Sequence, residues 1–440
     1  MSAVFRYDFI RIAIKENFQR PCKGRTMGYQ ELAKLYHMDH SSSRDKSLVE
    51  TLNARLNSES TFKTGFTTPN GETFLVITRE ISTASERIFK TERLISSKLN
   101  ELPEIAKRAI LRSMVLDEVV CTNLVEDIHS TRRQIKDAID AEPNSNVEFK
   151  RFKELATLYL GIIDGTGAFP LTPGDIRTVY DKVTEGEIPQ DKIPDGQLFR
   201  KESVAVTAGG IRVIHRGIEP ESKIIEAMKL MLDLMNNDQV PSLYSSLASH
   251  YIFEYAHPFY DGNGRTGRYL LSLSLSDILS SPTAISLSRT IAENKESYYR
   301  SFKSAEDELN HAELTFFIST MLNLIERAQE GVVERLDDSL NLTKSIDGAI
   351  ARASANFKFK SKELDIVNLL LQYEAFGLFG SAPLKEIATS LGLGTQQTRK
   401  YLTSLESQGV CRKLNNYSPI TFGLNDKFKE CYGVGNPAER

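Results

Sequence analysis

The twelve residues 257–268, HPFYDGNGRTGR, leave the backbone few choices. Apolar residues over 243–256 keep a spacing compatible with a buried helix. Pro258 ends that helix and leaves His257 at its C-terminal edge. Gly262 and Gly264 allow a tight turn whose N–H groups point inward as an anion-binding nest. A second helix is expected over 265–275, so an anion in the turn also meets a helix N-terminus. Asp261 offers a hard oxygen ligand for Mg²⁺. Arg265 and Arg268 lie three apart, on one helix face, where they can clamp phosphates in a bidentate way. A plain surface turn between two helices would explain the glycines. It does not explain the added histidine, phenylalanine and spaced arginines.

Around this run the sequence reads as mostly α. Helices are expected over 80–100, 103–121, 131–142, 147–164, 173–184, 220–236, 242–256, 265–280, 293–303 and 311–328. Residues 203–207 and 211–214 flank Ala-Gly-Gly and suggest a hairpin. Residues 1–80 read as a small α+β domain: helices over 5–19, 29–36 and 44–56, then a hairpin turning at Pro69-Asn70-Gly71. That order suits a winged helix or a plain packing module. Residues 331–360 read as a connecting helix and 361–440 as a last domain. Its helices are expected over 364–373, 384–391 and 395–408, followed by a two-stranded wing across Asn415-Asn416. The last unit resembles a winged helix-turn-helix. Gln396, Gln397, Arg399 and Lys400 would line the exposed face of its third helix. Such residues can read base edges, so DNA is an expected partner through 395–408, with protein docking as the competing use.

Composition narrows the class. The chain has 440 residues, enough for two to four domains. At 40% hydrophobic and 26% charged it is ordinary for a water-soluble globular protein. A formal net charge of -3 gives no global pull toward nucleic acid or anionic membrane. Cys22, Cys121, Cys411 and Cys431 show no CxxC spacing and read as reduced thiols. The first twenty residues lack the apolar core of a secretory signal, and no stretch reaches transmembrane length. A cytoplasmic protein without a membrane partner is expected.

The run 257–268 resembles the signature HxFx(D/E)GNGRxxR of the Fic family at every fixed position. The resemblance extends over roughly 95–330 and implies a Fic-type helical bundle, at 81–330, with a β-hairpin flap. It also implies transfer of AMP from ATP, with Mg²⁺, to Ser, Thr or Tyr hydroxyls of target proteins and of the chain itself. His257 would be the general base and Asp261 the Mg²⁺ ligand. Gly262, Asn263 and Gly264 would cradle phosphate oxygens, Asn263 also through its side chain. Arg265 would hold the β-phosphate and Arg268 the γ-phosphate. Phe259 would anchor the loop. A homodimer is also expected.

Residues 118–127, EVVCTNLVED, resemble the family's inhibitory helix, (S/T)xxxE(G/N), through Thr122 and Glu126. Glu126 would pair with Arg268 and keep ATP from a reactive pose. The chain departs from the pattern at Asp127. That change would either add negative charge near the site or alter how the helix ends. Residues 196–200, GQLFR, loosely match a Gly-x-x-Arg stretch that precedes the flap. The flap, with apolar Val204, Val206, Ile211 and Val213, would bind an extended target by main-chain pairing. Asn294, Tyr298 and Tyr299 would contribute to an adenine pocket, while His250 reads as structural. Two other readings stay open. One is an AMP-removing enzyme in which Glu126 orients water. The other is a DNA-binding regulator or toxin–antitoxin-like component in which the enzymatic domain senses nucleotide.

Overall fold

The computed structural model describes residues 28–140, 152–208, 212–377, 380–415 and 419–434. The helix expected over 5–19, Cys22, Ile211, Asn416 and the facing ends of the helices expected over 131–142 and 147–164 lie outside them. The chain is mostly helical. In order come α1 (Leu32–Met38), α2 (Arg44–Leu56), β1 (Thr61–Thr68), β2 (Gly71–Val76), α3 (Arg79–Glu101), α4 (Glu104–Val125) and α5 (Arg132–Asp140). Then follow α6 (Lys153–Ile163), α7 (Pro173–Val183), β3 (Ala205–Ala208), β4 (Arg212–Arg216), α8 (Glu221–Met235), α9 (Ser242–Ala256) and α10 (Asn263–Ser276). Short α11 (Ser281–Ala284), α12 (Leu287–Glu293) and α13 (Lys295–Ala305) lead into α14 (Thr315–Asn356). The chain closes with α15 (Ser361–Phe376), β5 (Ser381–Pro383), α16 (Leu384–Ser390), α17 (Thr395–Ser407), β6 (Cys411–Lys413), β7 (Thr421–Leu424) and α18 (Asp426–Tyr432).

Local chemistry sets several of these boundaries. Thr172 accepts from the Asp175 N–H while Asp175 answers at the Thr172 N–H, a capping box with Pro173 opening α7. Thr78 caps α3 in the simpler way, accepting from the Ile81 N–H. Two helices are buried almost all round, α9 over 243–253 and α10 over 263–275. Helices without a polar face belong in the middle of a domain. They pack on each other, and the loop that joins them is therefore held at the centre of the protein.

Three apolar cores surround this axis. The first joins α8, α9, one face of α10 and the start of α14, with Phe66 and Leu75 of the N-terminal hairpin inside it. The hairpin is also fixed by backbone: Leu314 N–H donates to Phe74 O at 2.7 Å. Arg55 pairs with buried Glu313 at 2.5 Å, tying α2 to the foot of α14. The second core joins α4, α6 and the other face of α10. The third lies between the far end of α14 and α15 to α18.

α14 merges two expected elements, the helix over 311–328 and the connecting helix over 331–360, into 42 residues. At about 1.5 Å per residue it runs roughly 60 Å. It places Phe317 in the first core, Val332 in the second and Ile346 in the third. At the C-terminal end, β5, β7 and β6 form a three-stranded antiparallel sheet in that order. α17 buries Thr398, Leu402 and Leu405 and exposes Gln396, Gln397, Arg399 and Lys400. α18, which the sequence reading did not anticipate, packs Phe428 against Phe357 and Tyr432. Cys121, Cys411 and Cys431 are free thiols. Among the described residues, no helix is long and apolar enough to cross a membrane.

Candidate active site

His257 follows the last turn of α9 with φ +49°, the left-handed region. A non-glycine residue there is costly, at roughly 1 kcal/mol, and needs surrounding structure to hold it. Arg200 does the holding. Its fully buried guanidinium donates to the carbonyls of His257 at 2.8 Å, Ala256 at 3.2 Å, Ile218 at 2.8 Å and Glu202 at 2.7 Å. Gly217 leaves room for it, since a Cβ there would lie 2.3 Å from Arg200 Nη2 and 3.0 Å from His257 Cβ. His257 Nδ1 sits 3.3 Å from Glu254 O. A proton donated along that line leaves Nε2 with the free lone pair. Burial pushes the imidazole down to about 4, so it is neutral, and able to accept a proton, at neutral pH.

Phe259 is fully buried, stacked on Tyr180 with centroids 3.6 Å apart and edge-on to Phe199 at 5.5 Å. Asn263 spans the turn: its Oδ1 accepts from Phe259 N–H at 2.9 Å and its Nδ2 donates to Phe259 O at 2.8 Å. That carboxamide shapes the loop, with one of its two N–H donors spent on Phe259 O. Gly262 takes φ +80° as the cap of α10, where a Cβ would meet Thr184 Cγ2 at 2.6 Å. α10 begins at Asn263, two residues before the expected start, so Gly264 lies in its first turn.

Both motif arginines are buried and engaged. Arg268 Nη1 is 2.9 Å from Glu126 Oε1. Its Nε donates to Thr122 Oγ1 at 2.9 Å and its Nη2 to Thr122 O at 3.0 Å. Burial works against the Arg268 charge, but Glu126, with Tyr298 and Glu254 beyond it, holds the guanidinium above its ordinary value. Gly264 is what lets Glu126 in, because a Cβ there would lie 2.1 Å from Glu126 Oε1. Arg265 turns the other way, with Nη1 2.7 Å from Glu187 Oε2 and both side chains buried. Its Nε has no hydrogen-bond partner among the described residues. Glu254 enters beside Gly267, its Oε1 sealed from solvent without a hydrogen-bond partner among the described residues. Burial pushes that carboxyl up to about 8 despite the pull of Arg268.

Asp127 resolves the departure from the family pattern. It adopts φ +56° just past the end of α4, the position where glycine or asparagine is favoured. Its side chain is exposed and reaches Lys295 Nζ at 3.1 Å, away from the nest. Asp127 therefore takes the backbone conformation that glycine or asparagine would take at this helix end, and its charge is paired with Lys295. Asp261 is half-exposed at the loop tip, with Oδ1 accepting from Gly262 N–H at 2.7 Å. No group of three His, Cys, Asp or Glu side chains able to hold a metal occurs among the described residues. A lone carboxylate still suits Mg²⁺, which is commonly held by one or two carboxylates with phosphates and water. Asp261 would be the residue to hold it.

The expected adenine trio separates. Tyr298 is buried with its hydroxyl 2.8 Å from His250 Nε2, so both are core residues. Asn294 donates to Thr290 O at 2.8 Å and accepts from Arg327, closing the junction of α12 and α13. Tyr299 alone of the three is exposed. β3 and β4 pair antiparallel, Val206 opposite His215 and Thr207 opposite Val213, with a bulge between the two pairs. Val204 is half-exposed just before β3.

Sequence reasoning missed Arg200's grip, Glu187, Glu254 and Glu118. Glu118 is fully buried, accepts from Ser288 N–H at 3.1 Å at the start of α12, and is pushed up to about 7 by burial. Its i, i+4, i+8 spacing with Thr122 and Glu126 was the available signal.

Residues 170–275 match the model of the Fic/DOC family, a stretch that includes the whole 257–268 run. Three solved structures are similar. A Fic family protein from Desulfovibrio desulfuricans is 19% identical, with 80% of this chain and 97% of that chain covered and a TM-score of 0.49. A Fic domain containing signaling protein from Bacteroides thetaiotaomicron is 16% identical over 56% and 97%, with a TM-score of 0.39. Fic-1 from C. elegans is 18% identical over 59% and 75%, with a TM-score of 0.41.

Proposed function

We propose that the chain is a protein adenylyltransferase, moving AMP from ATP to hydroxyl groups of target proteins and of itself, restrained by Glu126. The observation that carries this reading is the grip of Glu126 and Thr122 on Arg268, beside a neutral His257 and against the Gly264 turn. The target hydroxyl oxygen forms a bond to the α-phosphorus as its proton passes to His257 Nε2. The bond from that phosphorus to the bridging oxygen breaks, and pyrophosphate leaves. A base so placed contributes about 10²–10⁴-fold in rate. The first turn of α10 stabilises charge on the phosphates through its N–H groups. Mg²⁺ bound at Asp261 would add charge neutralisation on the phosphates. While Glu126 occupies Arg268, the γ-phosphate has no guanidinium and the α-phosphate is out of line for attack.

Incubation with α-labelled ATP and Mg²⁺ tests this on the parent chain, Glu126→Gly and His257→Ala. Strong label on protein from Glu126→Gly, weak label from the parent and none from His257→Ala is expected. Absence of label from Glu126→Gly would sink self-restraint and favour AMP removal, tested next on AMP-modified protein.

A second activity is proposed for the C-terminal unit. The exposed Gln396, Gln397, Arg399 and Lys400 of α17, with Lys413 exposed on β6, favour a winged helix-turn-helix that binds duplex DNA. Binding should weaken with salt, and Arg399→Ala with Lys400→Ala should lower the slope by about two. No retained fragment at low salt would leave protein docking as the role of this face.

A further inference from the structure

The segment between α7 and the flap, residues 184–195, lies across the phosphate loop and touches it three times. Glu187 holds Arg265 at 2.7 Å. Lys192 Nζ is 3.8 Å from Asp261 Oδ2. Asp195 Oδ1 accepts from Tyr260 OH at 2.8 Å. The first two contacts mirror a metal–polyphosphate, with a carboxylate on the loop's arginine and a cation on its aspartate.

The two contacts differ in strength. Glu187 and Arg265 are 4% and 2% exposed and within hydrogen-bond distance, so parting them is costly. Lys192 and Asp261 are about half exposed, at 49% and 46%, and beyond hydrogen-bond distance. Such a pair is worth little in water and exchanges readily. A cation that binds Asp261 must displace Lys192, since two positive centres cannot share that carboxylate without repulsion. The phosphates bound to the same cation then lie within reach of the flexible lysine stem. Arg265 already spends Nη1 on Glu187, so part of its charge is neutralised and the polyphosphate gains from a further cation.

We propose that Lys192 is a ligand of the nucleotide's phosphates, exchanging Asp261 for phosphate oxygens when the metal–nucleotide binds. The inference rests on the nucleotide-binding reading above. Its test uses the full chain carrying Glu126→Gly, with Lys192→Ala or Lys192→Arg added. Binding of Mn²⁺ alone is followed by electron paramagnetic resonance, and binding of Mg–ATP and AMP by calorimetry. Lys192→Ala should bind Mn²⁺ alone more tightly, because a competing cation is gone. It should bind Mg–ATP about tenfold more weakly, the loss of one charge-assisted contact. AMP affinity should stay unchanged, and Lys192→Arg should restore most of the ATP affinity. An ATP affinity within twofold of the unsubstituted lysine chain overturns the proposal, as does equal weakening for ATP and AMP. If the chain with Glu126→Gly and Lys192 intact binds no ATP, the nucleotide reading itself fails, and this inference with it.

Discussion

Replacing Glu126 with glycine should cost stability in the empty protein and return more than that cost when nucleotide is present. Arg268 is 2% exposed and keeps two hydrogen bonds to Thr122 after the change, so its charge is stranded only in part. Glu126 is 31% exposed, and solvent already screens its side of the pair. These opposing features set the loss at about 1–2 kcal/mol. In a chain of this size that lowers the melting temperature by about 2 °C. Nucleotide at a hundred times its dissociation constant returns about 2.7 kcal/mol. In the parent, part of that gain is spent on evicting Glu126, so its shift with Mg–ATP should be the smaller. Thermal melting with and without Mg–ATP checks this, with AMP as a control lacking the γ-phosphate. Equal Mg–ATP shifts in parent and variant would refute the idea that Glu126 and the γ-phosphate compete for one guanidinium.

Four further outcomes are expected. Asp127→Gly should raise the unfolding free energy by about 0.5 kcal/mol, read as a higher denaturant midpoint, because relief of the left-handed backbone outweighs one exposed ion pair with Lys295. The labelling rate of Glu126→Gly should hold from pH 8 to pH 6 and fall only toward the imidazole value of about 4, whereas a limb near the ordinary histidine value would argue against a buried base. The same depressed value means that the unfolded chain takes up this proton first, so His257 removes stability as pH falls from about 6.5 toward 4. Arg200→Lys should cost about 3 kcal/mol or more, because a lysine cannot serve four carbonyls spread around His257, and urea unfolding would detect it.

The helices and the turn at the motif were legible because their signals are local. Pro258, Gly262 and the apolar run before them act within a few residues, and α9 ends where the sequence says it should. The start of α10 was placed two residues late because Asn263 looks like a ligand and acts as a brace, visible only once Phe259 is opposite it. Glu187 and Arg265 are 78 residues apart, and nothing in either segment announces the other. The tyrosine pair split for a similar reason. Tyr298 faces His250 and its neighbour faces out, a distinction set by packing across α9 and α13. The break expected between 328 and 331 is missing because Gly331 is tolerated inside α14, where Val332 and Leu336 are buried on its flank.

That unbroken helix links two of the protein's cores. Its first third lies in the core that holds the phosphate loop and its last third in the core beneath α17, with no flexible joint between them along α14. The exposed face of α17 is therefore joined to the core around the His257 loop by one continuous element, and a change of packing at either end has an unbroken helical path to the other.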